Sequence, residues 1–174
     1  MAERVNGQTT ADRVAEPGNC QTNKKIWLVP VDDSPASENA LVWTLENLFH
    51  KGDELHLVHV IPQAVPEVFE DFVIFDNDPK QHEKRVNQAK ALMNTRYEPH
   101  LKDIQGFYDM HIVHFRTDTD SIGAVVGLMA NKYDVTAVIM AKHNKGRIQR
   151  WFIGSASNAC LQKCSKPVML LHEP

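Results

Sequence analysis

The chain has 174 residues, 43% of them hydrophobic and 24% charged, an ordinary balance for one globular domain with a sizeable core. A net charge of -3 excludes a broad polyanion-binding surface, so nucleic acid is not an expected partner. No apolar run approaches the roughly 20 residues of a membrane helix, so no membrane partner is expected either.

Residues 1–24 are polar, aperiodic and contain Pro17, Gly18 and Asn19; they are predicted to be a disordered N-terminal leader, with one domain over residues 25–174. The leader lacks the apolar segment of a signal peptide and carries Glu3, Asp12 and Glu16. With an odd set of cysteines (Cys20, Cys160 and Cys164), this predicts a cytoplasmic chain with free thiols. Cys160 and Cys164 share a helix face and read as small residues packed against a sheet.

Residues 26–31 (IWLVPV) have the composition of a buried strand, with Pro30 near its end. Ser34 and Pro35 then form an N-cap and first helical position, and the apolar spacing from Ala36 to Leu48 predicts a helix that Gly52 ends. Residues 54–61 (ELHLVHVI) alternate as a second strand. His56 and His59, three apart on that strand, face opposite sides and cannot form a zinc pair with each other. None of the nine histidines lies in a metal-binding spacing such as H-E-x-x-H, and no metal is expected.

Residues 62–79 are too apolar for a plain solvent loop and read as a partly ordered lid or a dimer-facing segment. A helix is predicted over residues 81–102, ending or kinking near Pro99. Residues 110–115 form a third strand, and Asp118 to Ser121 offer caps for a helix whose Gly123 and Gly127 are expected to let it approach the sheet closely.

Residues 135–167 carry the most chemistry. An unbroken apolar run (Val135 to Met140) predicts a strand covered on both faces. A polar loop with Lys142, Lys145, Arg147 and Arg150 follows, then Gly154-Ser155 opening a helix. Free N–H groups at a helix start, the helix dipole and nearby cations suit a phosphate; the alternative for Ser155 is a simple N-cap. Residues 168–171 form a last strand, placed at an edge because the sequence stops soon after it. Alternating strands and helices predict a three-layer, doubly wound, five-stranded parallel sheet, with ligands at its carboxyl edge.

The stretches VPVDDSPAS, HLVHVI, YDVTAVIMAKH and GSASNACLQKCSKPVMLL, spread over residues 26–172, together resemble the universal stress protein family. The resemblance implies the adenine-nucleotide alpha-hydrolase-like fold, a stress-response regulator rather than an enzyme, and ATP or another adenine nucleotide as ligand, with Mg as a companion ion. It also implies a homodimer through the C-terminal strand. Family adenine contacts fall on Val31, Asp32 and Val60, and ribose contacts on Met140 and Ala141. Phosphate contacts fall on Asn144, Gly154, Ser155 and the backbone N–H of Ala156, with Ser157 where the family often has Ser or Thr. The nucleotide-binding pattern G-x2-G-x9-G-[ST] falls on Ala141, Asn144, Gly154 and Ser155, so two glycines are replaced. A dimeric scaffold of the same fold that binds no nucleotide therefore stands beside the nucleotide reading. An enzyme, either a related adenylating α/β protein or a cysteine-based redox protein, is not expected, since the chain has no SGGxDS phosphate loop, no G-x-S-x-G and no C-x-x-C.

Overall fold

In the computed structural model, residues 2–5, 24–63, 67–69, 72–74, 79–116, 122–142 and 155–172 are described. The sheet is built from β1 (Ala2–Val5), β2 (Ile26–Pro30), β3 (Glu54–Gln63), β6 (Phe107–Arg116), β7 (Ala137–Lys142) and β8 (Val168–His172). A separate hairpin pairs β4 (Glu67–Phe69) with β5 (Phe72–Ile74). The helices are α1 (Pro35–Asn47), α2 (Pro79–Leu92), α3 (Glu98–Leu101), α4 (Ile122–Lys132) and α5 (Ser155–Lys163), with a π-turn at Met93–Tyr97 between α2 and α3.

The strand order is β1-β6-β3-β2-β7-β8. The five strands β6, β3, β2, β7 and β8 run parallel, as expected. The expectation of a wholly disordered leader needs correction at its start: residues 2–5 pair antiparallel with β6 and add a sixth strand. The apolar segment after β3 is likewise no plain loop, because residues 67–69 and 72–74 pair as a hairpin.

Two apolar clusters sandwich the sheet. Odd-numbered positions of β2 and β3, such as Trp27, Val29, Leu55 and Leu57, meet Leu41 of α1 and Ala89, Met93, Tyr97 and Leu101 of the α2–α3 segment. Even-numbered positions, such as Leu28, Val58 and Val60, meet Val125, Val126, Met129 and Ala130 of α4 and Cys160 of α5. This two-sided burial is why β2 and β7 are apolar without alternation.

The helix predicted over residues 81–102 is helical throughout but not regular. Pro99 cannot donate to the Thr95 carbonyl, and in an unbroken α-helix its ring would collide with that group. The π-turn just before it widens the spiral and removes the conflict. Gly123 and Gly127 also act differently from expectation: their close approach is to α5, not to the sheet. A Cβ on Gly123 would stand 1.6 Å from the Ala156 carbonyl oxygen, and one on Gly127 would stand 3.0 Å from the Cys164 nitrogen.

At the amino edge, the buried Asp53 ties three segments together. It accepts hydrogen bonds from the Trp27 indole at 3.0 Å, the Lys25 backbone N–H at 3.1 Å and the His50 backbone N–H at 3.0 Å. Gly52, one residue earlier, takes a φ of 91°, a left-handed conformation that glycine adopts without strain.

Candidate functional site

After β6 the chain crosses from one side of β2 to the other, so the strand order reverses between β2 and β7. Doubly wound sheets place their ligand crevice outside the carboxyl ends of such a pair. Here the two strands also part early. Their ladder holds Trp27↔Ala137 and Leu28↔Val138, whereas β7 continues to Lys142 beside β8. Pro30 supplies a reason. The Val31 N–H bonds the Val58 carbonyl on the β3 side at 2.9 Å, so the preceding residue turns toward β7 and is a proline with no N–H to give.

On the β2 side of this gap stand Val31, which is buried, and Asp32, which is half-buried. The Val31 carbonyl accepts a hydrogen bond from His59 Nδ1 at 2.8 Å, which fixes that ring as the Nδ1–H tautomer. Asp32 shapes the loop into α1. Its Oδ1 accepts from the Ser34 N–H at 2.9 Å and from Ser37 Oγ at 2.9 Å. Ser34 in turn caps α1 by accepting from the Ser37 N–H. The π-turn delivers Tyr97 and Arg96 to the same loop: the Tyr97 hydroxyl donates to the Asp32 carbonyl at 2.5 Å and lies 2.6 Å from Ser37 Oγ, while Arg96 Nη1 donates to the Asp33 carbonyl. Burial pushes the Tyr97 phenol above its ordinary value, outweighing the Ser37 hydrogen bond, so it stays a donor.

On the β7 side, Met140 is buried and Ala141 half-buried. Val60, Met140 and Ala156 share one apolar cluster, and Ser157 is buried on the first turn of α5. Asn144 and Gly154 lie outside the described residues, and Ser155 is described only as the backbone start of α5. The fold thus brings Val31 and Asp32 to one strand end, Met140 and Ala141 to its neighbour, and Val60 and Ala156 to the layer beside them.

Sequence reasoning missed the supporting residues His59, Tyr97 and Arg96. Only Ser37, three residues after the Ser34 cap, had a local signal. A shallow hollow of about 490 Å³ lies elsewhere, on α2, lined by Lys80, Glu83, Lys84, Asn87, Gln88 and Ala91. It is an open, charged helix face, whereas small-molecule sites are concave and largely apolar, so the sheet edge is the stronger candidate.

Cys160 is fully buried, and burial, reinforced by neighbouring Cys164, pushes its thiol up to about 12. A thiol held protonated this firmly is a packing group, not a nucleophile.

A doubly wound parallel sheet with its crevice at the β2–β7 reversal defines a class of α/β nucleotide-type folds. The model of the universal stress protein family matches residues 23–172, and the chain belongs to that family. No curated protein matches the chain. Among solved structures, hypothetical protein MJ0577 aligns with a TM-score of 0.62 at 23% identity, covering 86% of this chain and 96% of that one. Universal stress protein UspA from Lactobacillus plantarum aligns with a TM-score of 0.64 at 14% identity, covering 84% and 97%. At these identities the likeness shows the fold alone. A family member from Arabidopsis thaliana with AMP bound aligns more loosely, with a TM-score of 0.49 at 14% identity over 86% and 92%, and its ligand remains a property of that protein.

Proposed function

We propose that this chain is a stress-response regulator that binds an adenine nucleotide, ATP with Mg²⁺ in the first instance, at the carboxyl edge between β2 and β7, and that it acts by binding rather than by catalysis. The observation that carries this reading is the early parting of β2 and β7 at the strand reversal, with Val31 and Asp32 on one side and Met140 and Ala141 on the other. Val60 and the loop held by Tyr97 and Arg96 support an adenine on the β2 side. The N–H groups of the first turn of α5 (Ser155, Ala156 and Ser157), which have no carbonyl partner within the helix, with Asn144 and Gly154 before them in sequence, support the phosphates. On this reading the protein is cytoplasmic; among the described residues no helix is long and apolar enough to cross a membrane.

A second reading, a scaffold of the same fold without nucleotide, is favoured by one fact: Ala141 and Asn144 stand where the family pattern has glycine. Calorimetric titration with ATP and Mg²⁺ separates the two. The native chain is expected to saturate at micromolar ATP, and Asn144→Gly to bind at least as tightly, because glycine takes any loop conformation without a Cβ penalty. Heatless titrations for both proteins would leave only the scaffold.

The homodimer belongs to the same proposal. Among the described residues β8 is an edge strand with no neighbour on its outer side, Met169 on it is 39% exposed, and such an apolar edge invites a second copy. Met169→Lys is expected to shift the protein from dimer to monomer in sedimentation equilibrium. A native chain that sediments as a monomer at all concentrations would remove the dimer.

A further inference from the structure

The sheet carries a polar cluster that an adenylate at the carboxyl edge does not use. β3 and β6 pair in a register that sets His56 opposite Asp109 and Val58 opposite His111. Side chains two apart on a strand share a face, so His56, Asp109 and His111 project together into the layer under α4. All three are buried, His111 to 1% and His56 to 3% exposure.

We propose that His56, Asp109 and His111 form a divalent-metal site that takes zinc. His56 Nδ1 lies 2.7 Å from His111 Nε2, and His111 Nε2 lies 3.8 Å from Asp109 Oδ2. The three ligand atoms are all within 4.8 Å of one another. Zinc bonds of about 2.0–2.1 Å put tetrahedral donors about 3.3 Å apart, so on metal entry the two ring nitrogens separate by about 0.6 Å, His111 and Asp109 close by about 0.5 Å, and His56 and Asp109 close by up to about 1.5 Å. On binding it takes the place of the hydrogen between the two rings, and a neutral His111 then carries its single N–H on Nδ1.

The surroundings are those of a metal histidine. His56 Nε2 donates to Glu54 Oε1 at 2.8 Å, and Lys24 pairs with the same carboxylate. A carboxylate on the outer nitrogen fixes the tautomer and aims the Nδ1 lone pair inward. Tyr133, from the turn after α4, stacks on both rings at centroid distances of 4.5 and 5.0 Å. Two imidazoles and one carboxylate make a zinc-type set of three protein ligands. The site lies on the amino side of the nucleotide crevice: on the shared strand face His56 precedes Val60 by four residues, about 13 Å at the strand rise of about 3.3 Å per residue, and His111, level with Val58, stands about 7 Å short of it.

The test is titration of the chelator-stripped full chain with zinc, and with cobalt(II) as a chromophoric probe. One zinc per chain is expected, with a visible cobalt spectrum lacking a thiolate charge-transfer band, so that Cys160 and Cys164 are excluded as ligands. Asp109→Asn, which keeps size and shape, is expected to weaken zinc at least tenfold while retaining the native circular dichroism. The exposed control His172→Ala is expected to change nothing. Independently of any substitution, imidazole nitrogen resonances of the native protein provide the second readout, and those of His56 and His111 are expected to shift on zinc addition. No binding, unshifted His56 and His111 resonances, a thiolate band, or full affinity in folded Asp109→Asn would each overturn the site and leave a hydrogen-bonded cluster.

Discussion

Replacing Gly123 by alanine is expected to destabilise the protein by about 4 kcal/mol and to abolish nucleotide binding, because the added methyl falls inside the first turn of α5. Its Cβ would stand 1.6 Å from the Ala156 oxygen, 2.5 Å from the Ala156 carbon and 2.8 Å from the Cys160 nitrogen. All three are backbone atoms, so no side chain can rotate away; the helices must separate. Alanine gains about 1 kcal/mol over glycine in helix propensity, too little to offset overpacking of this kind. The same substitution at Gly127 meets backbone at 3.0 Å and 3.1 Å and is expected to cost much less. Thermal melting of the two variants checks the order. Equal melting temperatures would mean that the α4–α5 contact is looser than described, and the positioning of Ala156 by that contact would fall with it.

Asp53→Asn is expected to cost about 3 kcal/mol at neutral pH, or roughly 10 °C in melting temperature for a chain of this size. Burial pushes the Asp53 carboxyl up. The hydrogen bonds from Trp27, Lys25 and His50, with the His50 charge, outweigh burial and hold it below its ordinary value of 3.8. An amide offers one acceptor oxygen where the carboxylate offers two, so at least one of the three donors loses its partner. The sign of the pH dependence follows from linkage. A depressed folded value means the ionised form favours the fold: its contribution is complete above about 3.8 and disappears as pH falls through the lower folded value. The gap between native and variant proteins should therefore be widest at neutral pH and close in acid, as followed by urea unfolding across pH. A gap independent of pH would show that Asp53 acts by shape rather than charge.

What was legible in the sequence was whatever depends on near neighbours. The unbroken apolar runs at β2 and β7, the alternation in β3 and the Ser34-Pro35 start of α1 each reflect interactions within a few residues, and each appears in the structure. Features that depend on register or on packing between distant segments were not legible. His56 and His111 are 55 residues apart and meet only because β3 and β6 pair as they do. Gly123 and Gly127 announced a close approach but not its partner, since a small-residue spacing is the same whether a sheet or a helix lies above it. Tyr97 lies inside the predicted helix with no signal of its own, and its hydroxyl reaches Asp32 because the π-turn before Pro99 rotates it there. At the candidate site the strand ends were readable, and the residues that brace the Asp32 loop were not.

The central claim is that adenine nucleotide enters between the carboxyl ends of β2 and β7. Methyl-resolved NMR of the full chain, titrated with ATP and Mg²⁺, tests it most directly. Saturable shifts at Val31, Val60 and Met140, with Leu55 near the opposite end of β3 unmoved, are the predicted result; shifts confined to other methyls, or none at millimolar ATP, would contradict it.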